Sequence, residues 1–195
     1  MKSHYSNIMA VYKQSNQLEK THGQNWYQLA LDACKEISVE FELPLHIVVG
    51  VCAALSPTNR WERNLGDTHT VCRVFSEGGY MESAVVCTYP KMLEKAWSIL
   101  QTMPHDAEDT GFILKGPKIT DFFMCILGHD VCVIDGHAWG IANNERRGMK
   151  DVPSIGKGMR KELQAAYKKA GNKKGLTAYQ MQAITWVAWK RIHNV

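Results

Sequence analysis

Apolar residues recur at helical spacing along almost the whole of this chain, and very little of it shows the two-residue alternation of a strand. Trp26, Leu29, Ala30, Ala33, Ile37 and Phe41 fall on one face of a 3.6-residue turn. Pro44 suits the first turn of a buried helix that runs through Ala54. Ser56-Pro57-Thr58-Asn59 breaks it, and helical spacing resumes from Trp61 to Phe75. Gly78-Gly79 is a turn, and Pro90 opens a helix with Met92, Leu93, Ala96, Trp97 and Leu100 as its apolar stripe. Short helices are predicted from Asp106 to Ile113 and from Pro117 to Leu127, joined by Leu114-Lys115-Gly116. Val131-Cys132-Val133-Ile134 is strand-like in composition but too short and isolated to imply a sheet. Asp135 reads as the N-cap of a helix from Gly136 to Ala142. Residues 145–160 read as loop, Lys161 to Ala170 as helix and Gly171 to Gly175 as turn. Thr177 caps a last helix that reaches about His193. The predicted fold class is all-α, a single helical domain over 1–195, with no internal repeat or linker.

Composition narrows the function classes. The 195 residues suffice for a real core, and 45% hydrophobic with 22% charged residues is an ordinary globular balance. A net charge of +4 permits a nucleic-acid partner without requiring one. The six cysteines form no Cys-x-x-Cys pair and no tight Cys/His cluster, so neither a metal site nor a disulfide framework is expected. The first twenty residues are largely polar, and the apolar run from Ile47 to Leu55 is too short to cross a bilayer. These features lead to the expectation of a monomer working inside a cell, cytoplasmic and nucleoid-associated or nuclear, with no membrane partner and no cofactor.

Three segments carry chemistry. In the central one a short helix, a glycine hairpin and a second helix beginning with Lys118 are followed by an apolar stretch that ends in Asp135. Exposed hairpin amides beside a helix N-terminus are suited to hold a phosphate. The second segment is Ala54 to Leu65, containing Ser56-Pro57-Thr58-Asn59-Arg60. The third is Tyr179 to Arg191, where Gln182 and Trp186 stand four residues apart on one helix face and can reach one pocket. A Gln amide presents a donor and an acceptor, and an indole offers a flat face for stacking.

These segments resemble, in order, those of the helix-hairpin-helix DNA glycosylases, and most nearly the 8-oxoguanine DNA glycosylases. In that family a hairpin ends in a catalytic lysine and a Val-Asp-x-His-x-Trp-x-Ile-Ala segment carries a catalytic aspartate. Lys118 matches the lysine, and Ile134-Asp135-Gly136-His137-Ala138-Trp139 aligns with the second segment without a gap. The resemblance implies two helical lobes flanking a base pocket, and double-stranded DNA containing a damaged or modified base as partner. It implies catalysis by Lys118 and Asp135, phosphate contacts by Gly116 and His137, and a base pocket lined by Gln182, Trp186 and Phe122. Asn59, assisted by Arg60, would fill the gap left by a flipped base. Asp121 matches an aspartate of the 8-oxoguanine enzymes and is also spaced to pair with Lys118 along the helix. Two departures are visible. Leu114 stands where the family hairpin, roughly Gly-x-Gly-x-Lys, has its first glycine, and no room exists for the N-terminal β domain of the larger enzymes. The iron–sulfur cluster that some relatives hold on four C-terminal cysteines is also absent, since no cysteine follows Cys132.

The implied mechanism flips the nucleotide out of the duplex. Lys118, made neutral by burial or neighbouring cations, attacks the sugar C1′, while Asp135 stabilises the oxocarbenium-like sugar. The resulting Schiff base permits strand cleavage. Two other functions fit the same residues: action on a different modified base, such as a modified pyrimidine, or a non-catalytic hairpin module that holds DNA phosphates. The run from Arg146-Arg147 to Lys161 reads either as a solvated loop or as a track for the DNA backbone, and the pairs Lys168-Lys169 and Lys173-Lys174 read as solvated surface.

Overall fold

The computed structural model describes residues 3–148 and 150–194, and among these the protein is all-α, with ten α-helices and no strand. The helices are α1 (His4–Gln14), α2 (Gln17–Glu40), α3 (Leu45–Leu55), α4 (Trp61–Ser76), α5 (Pro90–Thr102), α6 (Ala107–Leu114), α7 (Pro117–Ile126), α8 (Gly136–Asn143), α9 (Lys157–Asn172) and α10 (Ala178–His193), with a 3-10 turn at Met81–Ser83. They form two compact units. One comprises Met1–Gln28 with Gly128–Val195, and the other Leu29–Leu127.

In the second unit α3 is the core element. Every residue from Ile47 to Leu55 is buried, with α4, α5, α6 and α7 packed around it. An unbroken apolar run is what a helix covered on all sides requires. Gly50 lets α6 approach, because a Cβ there would stand 2.6 Å from Thr110 Cγ2.

In the first unit Ile8, Cys132, Ile134, Trp139, Leu163, Tyr167, Met181 and Trp189 belong to one buried cluster. Its fixed point is α8. Asp135 Oδ1 accepts from the Ala138 amide at 2.8 Å, and the buried Tyr167 hydroxyl donates to the Ala138 carbonyl at 3.1 Å. At the other end the Ala142 carbonyl accepts from His4 Nδ1 at 3.0 Å and from Asn7 Nδ2 at 2.8 Å. The segment Val131–Ile134 is not a strand. It is a connector whose Cys132, Val133 and Ile134 are buried.

The helix boundaries differ most from the sequence reading at α1, at the start of α2 and at both ends of α9. The polar N-terminus forms α1, whose buried face is Asn7, Ile8, Met9 and Val11, so packing rather than a clear apolar stripe makes this helix. Helix α9 begins at Lys157 instead of Lys161, taking part of the Gly- and Lys-rich stretch that reads as loop.

Two contacts fix α10 in this unit. Gly23 of α2 lies against its backbone, and an added Cβ would meet Ile184 Cα and N at 2.5 Å. At the start of α2, Asn16 Oδ1 accepts from the Glu19 amide and Glu19 Oε2 from the Asn16 amide, both at 2.8 Å, a reciprocal cap. Glu19, 7% exposed, also accepts from Arg191 Nε at 2.5 Å. That bond holds the Glu19 carboxyl below its ordinary value of 4.5, with burial opposing it and the Asn16 amide and Arg191 charge assisting.

Gly23→Ala is expected to destabilise the protein by about 2 kcal/mol even though alanine gains about 1 kcal/mol in helix propensity, because backbone cannot yield to the methyl. An unchanged urea midpoint would remove this contact from the fold's requirements. Since the Glu19 carboxyl is depressed in the folded state, its contribution is fully present above pH 4.5 and is lost as pH falls from there through the lower folded value. Urea midpoints measured across that window are expected to fall less steeply for Glu19→Gln than for wild type.

Candidate active site

The hairpin lies in the unit Leu29–Leu127. Helix α6 is capped at its start by Asp106, whose Oδ1 accepts from the Asp109 amide at 2.9 Å. It ends at Leu114, which is fully buried, so the leucine standing in the glycine place is a core anchor. Lys115 supplies the turn instead, in the left-handed region at φ 57°, and the Gly116 amide donates back to the Leu114 carbonyl at 2.7 Å. Gly116 itself has φ −96°, so handedness does not demand glycine there. Space there is tight, since a Cβ would stand 3.1 Å from Ile119 Cγ1 and that side chain would have to give by a few tenths of an ångström.

Helix α7 then begins with Pro117 and has no side-chain cap. Its first amides stay open, which is the arrangement a phosphate oxygen can occupy. Lys118 is the second residue of this helix, exposed and, among the described residues, in no ion pair. The helical pairing with Asp121 is therefore not made. Phe122 is half-buried one turn further along the same helix. Lys95 of α5, which spacing alone did not single out, donates to the Leu114 carbonyl and so braces the hairpin. Burial first, and then the charges of Lys115 and Lys91, hold its ammonium below the ordinary lysine range.

Asn59 and Arg60 occupy the loop between α3 and α4. Asn59 Nδ2 donates to Asp67 Oδ2 at 2.8 Å, and the buried Asp67 also accepts from Arg63 Nε at 3.1 Å and the Cys87 amide at 2.8 Å. Thr88 Oγ1 donates to the Pro57 carbonyl at 3.0 Å. The loop is thus tied down, Thr58 holds a positive φ of 59°, and Arg60 is exposed where α4 begins without a side-chain cap. Asp67 was not among the residues read from the sequence, although Arg63 at i, i+4 was a signal for it.

Asp135, His137, Gln182 and Trp186 lie in the other unit. Asp135 is half-buried and caps α8 through Oδ1. Its Oδ2 has no bond within the protein among the described residues. His137 and Trp186 come together, with ring centroids 6.3 Å apart and planes at 79°. Lys190, a turn beyond Trp186, holds its Nζ 4.3 Å from the indole centroid. Gln182 faces inward. It is 6% exposed, and its Oε1 accepts from the buried Tyr27 hydroxyl at 3.5 Å. Tyr27 in turn packs edge-on against Trp26 and Tyr179. No group of three or more His, Cys, Asp or Glu residues suited to a metal is present among the described residues.

No curated protein and no solved structure matches this chain. One family model does, over residues 1–193. By that match the chain belongs to DUF7178, a family of unknown function.

Proposed function

We propose that the protein is a DNA glycosylase of the helix-hairpin-helix kind, excising a modified base through Lys118 and Asp135, with associated strand cleavage. The observation that supports it most is the α6–α7 hairpin, where an exposed lysine, in no ion pair among the described residues, stands at the open N-terminus of a helix, with Lys115 in the turn before it and Lys95 bonded to the Leu114 carbonyl. Open amides with lysines at the hairpin suit a phosphate backbone.

In this scheme the Lys118 nitrogen forms a bond to C1′, and the bond from C1′ to the base breaks with its electron pair leaving on the base, which takes up the proton from lysine. Ring opening yields an iminium at C1′. Loss of a 2′ proton then expels the 3′ phosphate. Asp135 divides its oxygens: Oδ1 holds the helix start, and Oδ2 is left to face the positive charge developing on the sugar.

A specific observation favours the variant in which the substrate is not 8-oxoguanine. Gln182 is 6% exposed with its Oε1 accepting from Tyr27, and the Lys190 ammonium covers one face of Trp186. A base carrying an electron-rich or anionic substituent suits that cation better than a neutral purine does. A panel of duplexes with different modified bases, scored for released base, discriminates the two.

Borohydride is expected to trap wild-type protein covalently on a duplex bearing its substrate base, and Lys118→Gln is expected to abolish trapping while duplex binding persists. Equal trapping by the variant would remove Lys118 from the chemistry. Asparagine is as good an N-cap as aspartate, so Asp135→Asn should leave thermal stability near wild type while slowing base release about 10²–10³-fold. Asp135→Ala should lose the same activity and also about 1 kcal/mol of stability. Normal turnover in Asp135→Asn would reduce that carboxylate to a cap.

A further inference from the structure

Lys169 and Lys174 read from the sequence as solvated surface, and the structure places them, together with Lys20, over aromatic rings. Tyr5 and Tyr12 lie seven residues apart on α1, two turns and about 10 Å along its axis. Both are half-buried against the core of the first unit. Lys169 of α9 holds its Nζ 5.1 Å from the Tyr5 centroid. Lys20 of α2 and Lys174, just past α9, hold theirs 5.2 and 5.6 Å from the Tyr12 centroid. An ammonium over a ring is attracted to it within about 6 Å, but two ammonium groups on one ring repel each other.

Three carboxylates of this unit have other partners. Glu19 binds Arg191, Asp130 meets Lys168 at 3.1 Å, and Glu162 meets His4 at 3.2 Å. Among the described residues Lys20, Lys169 and Lys174 have no carboxylate partner. What results is a short row of cations held in place by rings and lacking counter-charge.

We propose that Lys20, Lys169 and Lys174, set on Tyr5 and Tyr12, form a second DNA-binding surface that takes the sugar–phosphate backbone of a duplex. The choice of partner rests on the excision reading above. Three features favour duplex backbone over other polyanions. The cations fall in two groups, one over Tyr5 and one over Tyr12, about 10 Å apart along α1, a span that a duplex carrying one charge about every 3.4 Å of its axis on each strand can meet. The ring faces are already occupied by ammonium groups, so they anchor cations and do not stack unpaired bases as single-strand platforms do. The tyrosines are half-buried against the core and offer little apolar surface to a lipid bilayer.

The test is the salt dependence of binding to an undamaged duplex oligonucleotide, followed by fluorescence anisotropy. Each phosphate contact contributes about 0.9 to the slope of log K against log salt concentration. The triple variant Lys20→Gln, Lys169→Gln, Lys174→Gln is expected to flatten that slope by two to three, and the triple Lys→Arg variant to retain it. A wild-type slope in the glutamine variant overturns the second surface and leaves the excision reading standing. A flattened slope in a protein that releases no base upholds the surface and overturns that reading. Wild-type protein that ignores duplex but binds anionic lipid vesicles overturns the surface as a DNA site.

Discussion

Every helix begins with backbone amides that its own hydrogen bonds cannot satisfy, and the arrangement of this protein turns on how those amides are met. Ser3, Asp106, Asp135 and Thr177 close the starts of α1, α6, α8 and α10 with side-chain oxygens, and Asn16 with Glu19 closes α2. Helices α4 and α7 begin at Arg60 and Gly116 without such a cap, as α3, α5 and α9 do at Pro44, Tyr89 and Gly156. The hairpin before α7 and the loop before α4 are two of the segments read from the sequence as DNA contacts, whereas His137 was read as one on the capped α8. A capped helix start is structurally complete, whereas an uncapped one with cations around it still has bonds to make.

The helices legible in the sequence are those whose stabilising features are local. Pro44 and the run to Leu55 determine α3, Pro90 and a regular apolar stripe determine α5, and Thr177 with Gln180 forms a complete capping box for α10. Helix α1 was not legible because what holds it is distant in sequence. His4 and Asn7 bond to Ala142, and Ile8 and Val11 are buried in a cluster drawn largely from residues beyond 130. The first turn of α9 was hidden by Gly156 and Gly158, which read as loop until the rest of the helix is seen to pack through Leu163 and Tyr167.

The same division holds for the candidate site. Asp135 as a cap and Lys118 at a helix start are local facts, and spacing finds both. The inward turn of Gln182 depends on Tyr27, more than 150 positions away, and the tether of Asn59 depends on Asp67, itself fixed by the Cys87 amide. Helical spacing puts Gln182 and Trp186 on one face but does not say whether that face meets solvent or core. Here the face turns between them: Gln182 is in the core, while Trp186 is half-exposed with His137 at its edge and Lys190 over its ring.

Such tethers bear on what the Asn59 loop can do. A side chain that fills a gap in a base stack must point outward when the duplex arrives. Asn59 first has to release Asp67, and that buried carboxylate would keep only Arg63 Nε and the Cys87 amide. Losing a hydrogen bond to a charged group costs about 1.5–3 kcal/mol, a cost that only a substrate able to replace it can offset. Arg60 meets no such barrier, being exposed at the open start of α4. Under the excision proposal, the first side chain of this loop to meet DNA is therefore the arginine, and Asn59 follows only if the duplex opens.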